Sequence, residues 1–119
     1  MIKTIFLLLT FLLSSTAMAA DITLNTSDGV KVHAVYKEAK VAKSGVVLVH
    51  MLNRSAKDWR FFADKLQSAG VSSVAVDLRH HGANLPEGTD SAEIPDGDYA
   101  LMRNEVNAAV AYLRAQGVE

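Results

Sequence analysis

Residues 45–82 read GVVLVHMLNRSAKDWRFFADKLQSAGVSSVAVDLRHHG. The apolar run Val46, Val47, Leu48, Val49 stops at His50, and a second run centred on Val74, Ala75 and Val76 stops at Asp77. Both runs are continuous rather than alternating, and both are rich in β-branched residues. That pattern marks strands buried on both faces, as in a parallel sheet covered by helices. Between them Trp59, Phe62, Leu66 and Ala69 recur at i, i+3, i+7 and i+10, a helical stripe expected to lie in the core. Lys57, Arg60, Asp64, Lys65 and Gln67 fall mostly off that stripe. Ser55 is placed to cap the helix, Asp58 stands three residues later in capping-box position, and Gly70 fits the C′ position. A helix over 56–69 supplies the right-handed crossover that two parallel strands require. The stretch is therefore a strand–loop–helix–strand unit, and the fold class is α/β.

Upstream, residues 21–26 and 30–36 alternate between apolar and polar, which is strand period. Ser27-Asp28-Gly29 between them favours a tight turn, so the pair reads as an antiparallel hairpin. His33 is then a half-exposed sheet histidine with no further role. Downstream, residues 78–97 read as loop. Glu87, Asp90, Glu93, Asp96 and Asp98 make this region acidic, at a spacing that fits no calcium loop. Asp98 is placed to cap a last helix with Met102, Val106, Ala109, Val110 and Leu113 as its apolar stripe and Gly117 at its end. An α/β pattern calls for a further strand after that helix, and the sequence ends where it is expected.

The chain has 119 residues, enough for one domain; 50% are apolar and the formal net charge is -1. No electrostatic case exists for nucleic acid or an anionic membrane surface. There is no cysteine, which excludes disulfides, thiolate metal sites and a cysteine nucleophile. Lys3, the apolar residues 5–13 and the small residues Ala17 and Ala19 have the layout of an export signal cleaved after Ala19. The expected division is 1–19 signal peptide and 20–119 mature chain, in the periplasm or secreted. An uncleaved membrane anchor is the alternative.

In open parallel sheets ligand sites sit at the carboxyl ends of strands. Here those ends carry His50-Met51-Leu52-Asn53 and Asp77-Leu78-Arg79-His80-His81-Gly82. The stretch VVLVHM at 46–51, the helix with Trp59, Phe62, Ala63 and Leu66, and VAVDLRHHG at 74–82 together resemble the N-terminal part of an α/β-hydrolase, of the dienelactone-hydrolase-like or small-esterase type. The last stretch is similar to that family's Asp-x-Arg-Gly-His-Gly turn, with His80 standing where glycine is usual. Met51 likewise stands in a glycine position.

The resemblance implies a serine-hydrolase scaffold for a small ester or lactone, without cofactor or metal. Backbone N–H groups of Leu52, and second Met51, would form half of an oxyanion hole. His50, Asp77, Arg79, His81 and Gly82 would hold the loops in place rather than react. None of the catalytic triad is present: the nucleophile elbow Gly-x-Ser-x-Gly does not occur in the chain, and in this family the acid and histidine follow the serine. His80 and His81 are poor as a metal pair, since neighbours in extended backbone point apart.

The expected activity is thus that of a complete form, and the chain is expected to be inactive alone. A second reading is a short, non-catalytic exported module whose unfilled sheet edge is covered by a partner chain or by self-association. Dinucleotide binding is disfavoured, because the segment from His50 to Ala56 has no glycine to let a pyrophosphate approach.

Overall fold

The computed structural model describes residues 19–41, 44–89 and 91–119. The export signal expected at 1–19 lies, except for Ala19, outside the described residues. Among the described residues no helix is long and apolar enough to cross a membrane.

The Asp-Gly turn sets the first unit. Gly29 takes φ 84°, Gly29 N–H donates to the Thr26 carbonyl at 3.0 Å, and Thr26 Oγ1 donates to Asp28 Oδ1 at 2.6 Å. This joins β1 (Ala20–Asn25) to β2 (Lys31–Lys37) as an antiparallel hairpin in which Leu24 faces Val32 and Ile22 faces Ala34. β3 (Ser44–Val49) and β4 (Val71–Val76) run parallel, with Val49 opposite Val76. β4 also pairs antiparallel with β2, so the four strands lie in the order β1-β2-β4-β3.

β4 has neighbours on both sides and a buried residue at every position from Ser72 to Val76. Its Val74 and Val76 join Leu24, Val32, Ala34 and Tyr36 under Ala109 and Leu113 of the last helix. Its Ala75 faces the other way, against Leu48, Ala56 and Ala63. The result is three layers, with a helix on each face of the sheet. Burial on both faces was expected of both parallel strands, and β3 departs from it: only Leu48 is buried there. Among the described residues β3 pairs with β4 alone, so its outer edge lacks a neighbour to cover it.

The crossover begins as a 3-10 turn, Ala56–Trp59, and continues as α1 (Arg60–Ser68). Ser55 Oγ accepts from Lys57 N–H at 3.4 Å, but Asp58 forms no capping box. Its carboxylate is taken by Arg54 in a two-pronged bond at 2.7 and 2.8 Å. The tight first turn also rotates the helix. Ala56, Ala63, Trp59 and Leu66 face the sheet, while Phe62 is 46% exposed and leans on the Trp59 ring with centroids 5.8 Å apart.

The region 78–97 is not wholly loop. It holds a 3-10 turn at Gly82–Asn84, and α2 (Asp96–Leu101) begins before Asp98. Pro95 precedes α2 and supplies the carbonyl that Asp98 N–H reaches at 2.9 Å, so Asp98 is not the cap. α3 (Arg103–Ala115) follows after a break at Met102.

α3 carries one feature its apolar stripe concealed. Glu105 is fully buried among the stripe residues, facing Arg79, itself 5% exposed. Arg79 Nη2 donates to Glu105 Oε1 at 2.7 Å, Nε reaches both carboxylate oxygens at 3.2 Å, and the Arg79 backbone N–H donates to Oε2 at 3.1 Å. The other edge of the guanidinium donates to Asp28 at 2.9 and 3.1 Å. One cation thus joins α3 to the hairpin turn. The bonds to Glu105 first, and to Asp28 second, hold the Arg79 guanidinium more firmly protonated than usual. Arg79, and after it Thr26, keeps the Asp28 carboxyl well below the usual carboxylate range.

Removing one member of a buried ion pair strands the other charge, at about 3–5 kcal/mol. Arg79→Ala is expected to lower the free energy of unfolding by about that amount in urea titrations. Arg79→Met combined with Glu105→Leu is expected to recover most of the loss, because the stranded carboxylate is then gone. Equal destabilisation by the single and the double variant would contradict this.

Candidate functional site

β3 and β4 are parallel and end in register, so the loops that follow them rise at the same edge of the sheet. Asp77 stands at the end of β4, 3% exposed. A carboxylate so buried must find donors. Its Oδ1 accepts from Ala56 N–H at 2.8 Å; its Oδ2 accepts from Ala83 N–H at 3.1 Å and from His33 Nδ1 at 2.7 Å. The three donors come from the loop after β3, the loop after β4, and β2. Asn84 completes the tie: its Nδ2 donates to the Asp77 and Leu78 carbonyls at 2.8 and 3.1 Å, and its Oδ1 accepts from His33 N–H at 2.9 Å. Gly82 closes over the same carboxylate with φ 55°, and a Cβ there would collide with Asp77.

His33 is therefore more than a half-exposed sheet histidine. Its second nitrogen, Nε2, lies 2.8 Å from Asp21 Oδ1, so the imidazole is held between two carboxylates. Burial opposes the charged ring, and the bonds to Asp21 and Asp77 outweigh it, raising the pKa above the ordinary 6.5. Two acceptors on two ring nitrogens suit the doubly protonated imidazolium. Neither Asp21 nor Asn84 stood out in the sequence: Asp21 reaches His33 across the hairpin, two positions off its direct partner Thr23, and Asn84 reaches it because β2 lies beside β4.

His50 and His81 lie side by side with their rings tilted by 46°, ring centroids 4.7 Å apart. His50 Nδ1 donates to the Met51 carbonyl at 2.8 Å and Nε2 accepts from Leu78 N–H at 3.1 Å, which makes the ring neutral and binds the two loops together. His81 Nδ1 donates to the Arg79 carbonyl at 2.9 Å, leaving a buried Nε2 with no partner among the described residues. His80 has φ 63°, the left-handed region that glycine adopts freely, and its Nε2 pairs with Asp98 Oδ2 at 2.7 Å. The glycine that the resemblance places there answers to this backbone; here a side-chain bond to α2 offsets a cost of about 1–2 kcal/mol.

Residues 51–54 form a turn closed by Arg54 N–H on the Met51 carbonyl at 3.0 Å, with Asn53 at φ 60°. Met51 has no positive φ and its side chain is 80% exposed, so the residue imposes no backbone strain on the turn. Leu52 is exposed at the tip. Between the two loops lies a cleft of about 530 Å³ whose lining includes His33, Asn53, Arg54, Asp77 and Gly82. Among the described residues no three histidine or carboxylate side chains group to hold a metal ion.

An antiparallel hairpin laid against a parallel pair, with its loops gathered at one edge, is the N-terminal portion of an α/β-hydrolase fold, as the resemblance of 46–51 and 74–82 implied. A carboxyl esterase from Bacillus coagulans superposes with a TM-score of 0.68 at 18% identity over 85% of this chain and 33% of its own. The Pyrococcus furiosus esterase Pf2001 does so with 0.65 at 20% identity, over 82% and 36%. An epoxide hydrolase from an endophytic Streptomyces gives 0.58 at 28% identity, over 85% and 27%. The chain spans about a third of the length of the solved structures it matches. No protein-family model matches the sequence, and no curated protein does.

Two outcomes test the site's construction. A histidine whose folded pKa is raised stabilises the fold fully below the unfolded value, and that stability is lost as pH rises through the folded value. The difference in melting temperature between the wild type and His33→Gln is therefore expected to be largest below about pH 6.5 and to shrink at more alkaline pH; a difference constant from acid to alkaline pH would contradict it. Gly82→Ala is expected to cost more than about 2 kcal/mol, since a left-handed backbone and a collision with Asp77 act together. A urea midpoint within error of wild type would refute the close approach.

Proposed function

We propose that the chain supplies the oxyanion-hole half of an exported ester- or lactone-hydrolysing enzyme of the dienelactone-hydrolase-like or small-esterase type. The observation carrying this is the pair of loops that Asp77 and His50 fix at the carboxyl edge of a hydrolase-type sheet. The turn at 51–54 offers its backbone there. The Leu52 N–H is the first donor for the negative oxygen of a tetrahedral intermediate, and Met51 N–H the second. The buried bonds of Asp77, Arg79, His50 and His81 set loop position, and of these side chains only His81 keeps a ring nitrogen, the buried Nε2, without a partner among the described residues.

A serine, an acid and a catalytic histidine have to come from sequence outside residues 1–119, which contain no Gly-x-Ser-x-Gly. In the complete form the serine oxygen attacks the ester carbonyl, the histidine takes its proton, and the N–H groups hold the developing oxyanion. The layout of residues 1–19 supports export, with a mature N-terminus at Ala20. Purified mature chain alone is expected to show no turnover of p-nitrophenyl acetate. Turnover abolished by replacing one of its own serines with alanine would overturn this assignment.

A second reading is favoured by one observation. β3 pairs on one side only among the described residues, and Val49 on it is 39% exposed. An open apolar strand edge recruits another chain. In this reading the chain is a non-catalytic module that self-associates or binds a partner through β3. Size-exclusion chromatography tests self-association, which a concentration-independent monomer removes; a monomer that also unfolds cooperatively counts against a partner-dependent module and against a truncated one.

A further inference from the structure

On the sheet face that carries α1, away from α3, a separate cavity of about 240 Å³ lies between helix and sheet. Its walls include Val35, Ala56, Trp59, Ala63 and Ala75. Three of these five are alanines, and alanines at a helix–sheet contact leave space that larger side chains would fill. It adjoins the cleft between the loops, sharing Val35, Ala56 and Lys57 with it, but reaches under α1 to Trp59, Ala63 and Ala75.

One further feature points to an occupant. Lys57 and Arg60 also line the cavity; both are exposed, and neither is ion-paired among the described residues. Lys37, the third cation there, is matched by Asp64. The cavity thus combines an apolar interior with two cations that have no ion-pair partner among the described residues.

We infer that this cavity binds a medium-chain carboxylate, with the alkyl tail between α1 and the sheet and the carboxylate against Lys57 and Arg60. A dry apolar cavity of about 150 Å³ holds a benzene ring. By the same packing, one of about 240 Å³ takes a tail of about eight carbons. The carboxylate gives the two cations a counter-charge that a plain alkane lacks.

Trp59 is the only tryptophan, so its emission reports on this cavity. The experiment titrates the full chain with hexanoate, heptanoate and octanoate at fixed ionic strength, following Trp59 emission and heat release. Each added methylene is expected to tighten binding about fourfold while it still finds apolar wall. Lys57→Glu with Arg60→Glu is expected to weaken octanoate binding at least about tenfold, with the circular dichroism spectrum unchanged, since both side chains are exposed. Ala63→Leu is expected to abolish binding by filling the space. Should that variant fail to fold, the chain-length series and the charge-reversed pair still decide. Affinity independent of chain length, octylammonium binding as tightly as octanoate, or neither a change in emission nor heat below the micelle concentration would each overturn the inference. None of these outcomes depends on whether the chain takes part in ester hydrolysis.

Discussion

The Asp77 carboxylate is the constraint from which the loop edge is built. Burying an ionised group without donors is prohibitive, and with three donors it becomes a clamp. Because the donors are Ala56 N–H, Ala83 N–H and the His33 ring, satisfying this one charge fixes the loop after β3, the loop after β4 and the hairpin strand β2 relative to one another. The turn at 51–54 inherits its place from that arrangement. Its side chains are exposed, and what holds it is what Asp77 and His50 hold.

Two residues on, Arg79 does on the helix side what Asp77 does at the loop edge. Its guanidinium reaches Glu105 on α3 and Asp28 in the hairpin turn. The short stretch after β4 thus carries two buried charges of opposite sign, each satisfied by a different part of the chain. Apolar layers alone would let α3 slide on the sheet. Directional bonds to a planar guanidinium fix α3 against the hairpin turn.

Much of this architecture was legible in the sequence because periodicity records burial. The hairpin, the crossover and the last helix followed from spacing at 2.0 or 3.6 residues, and the parallel pair from two continuous apolar runs. What escaped has a physical reason in each case. The strand order that puts β2 beside β4 is not written in local pattern, so His33 looked unremarkable and Asp77 could not be matched to it. Glu105 interrupts an otherwise apolar stripe, and only the distant Arg79 explains it. Phe62 fitted the helical stripe, but the 3-10 first turn moved the buried face to Ala63. The exposed flank of β3 reflects its place at the edge of the described sheet, which a run of β-branched residues does not reveal. The positions Met51 and His80, unusual against the resemblance, resolve differently: His80 bears the left-handed backbone, while Met51 does not.

The clamp is tested most directly by amide hydrogen exchange at Ala56 and Ala83, compared between the wild type and Asp77→Ala. In the wild type both amides are expected to exchange as slowly as those of β4. In the variant both are expected to lose that protection together, while the amides of the Arg79–Glu105 contact keep theirs. Fast exchange at Ala56 and Ala83 in the wild type, or protection unchanged in the variant, would show that the loops are held by something other than the Asp77 carboxylate.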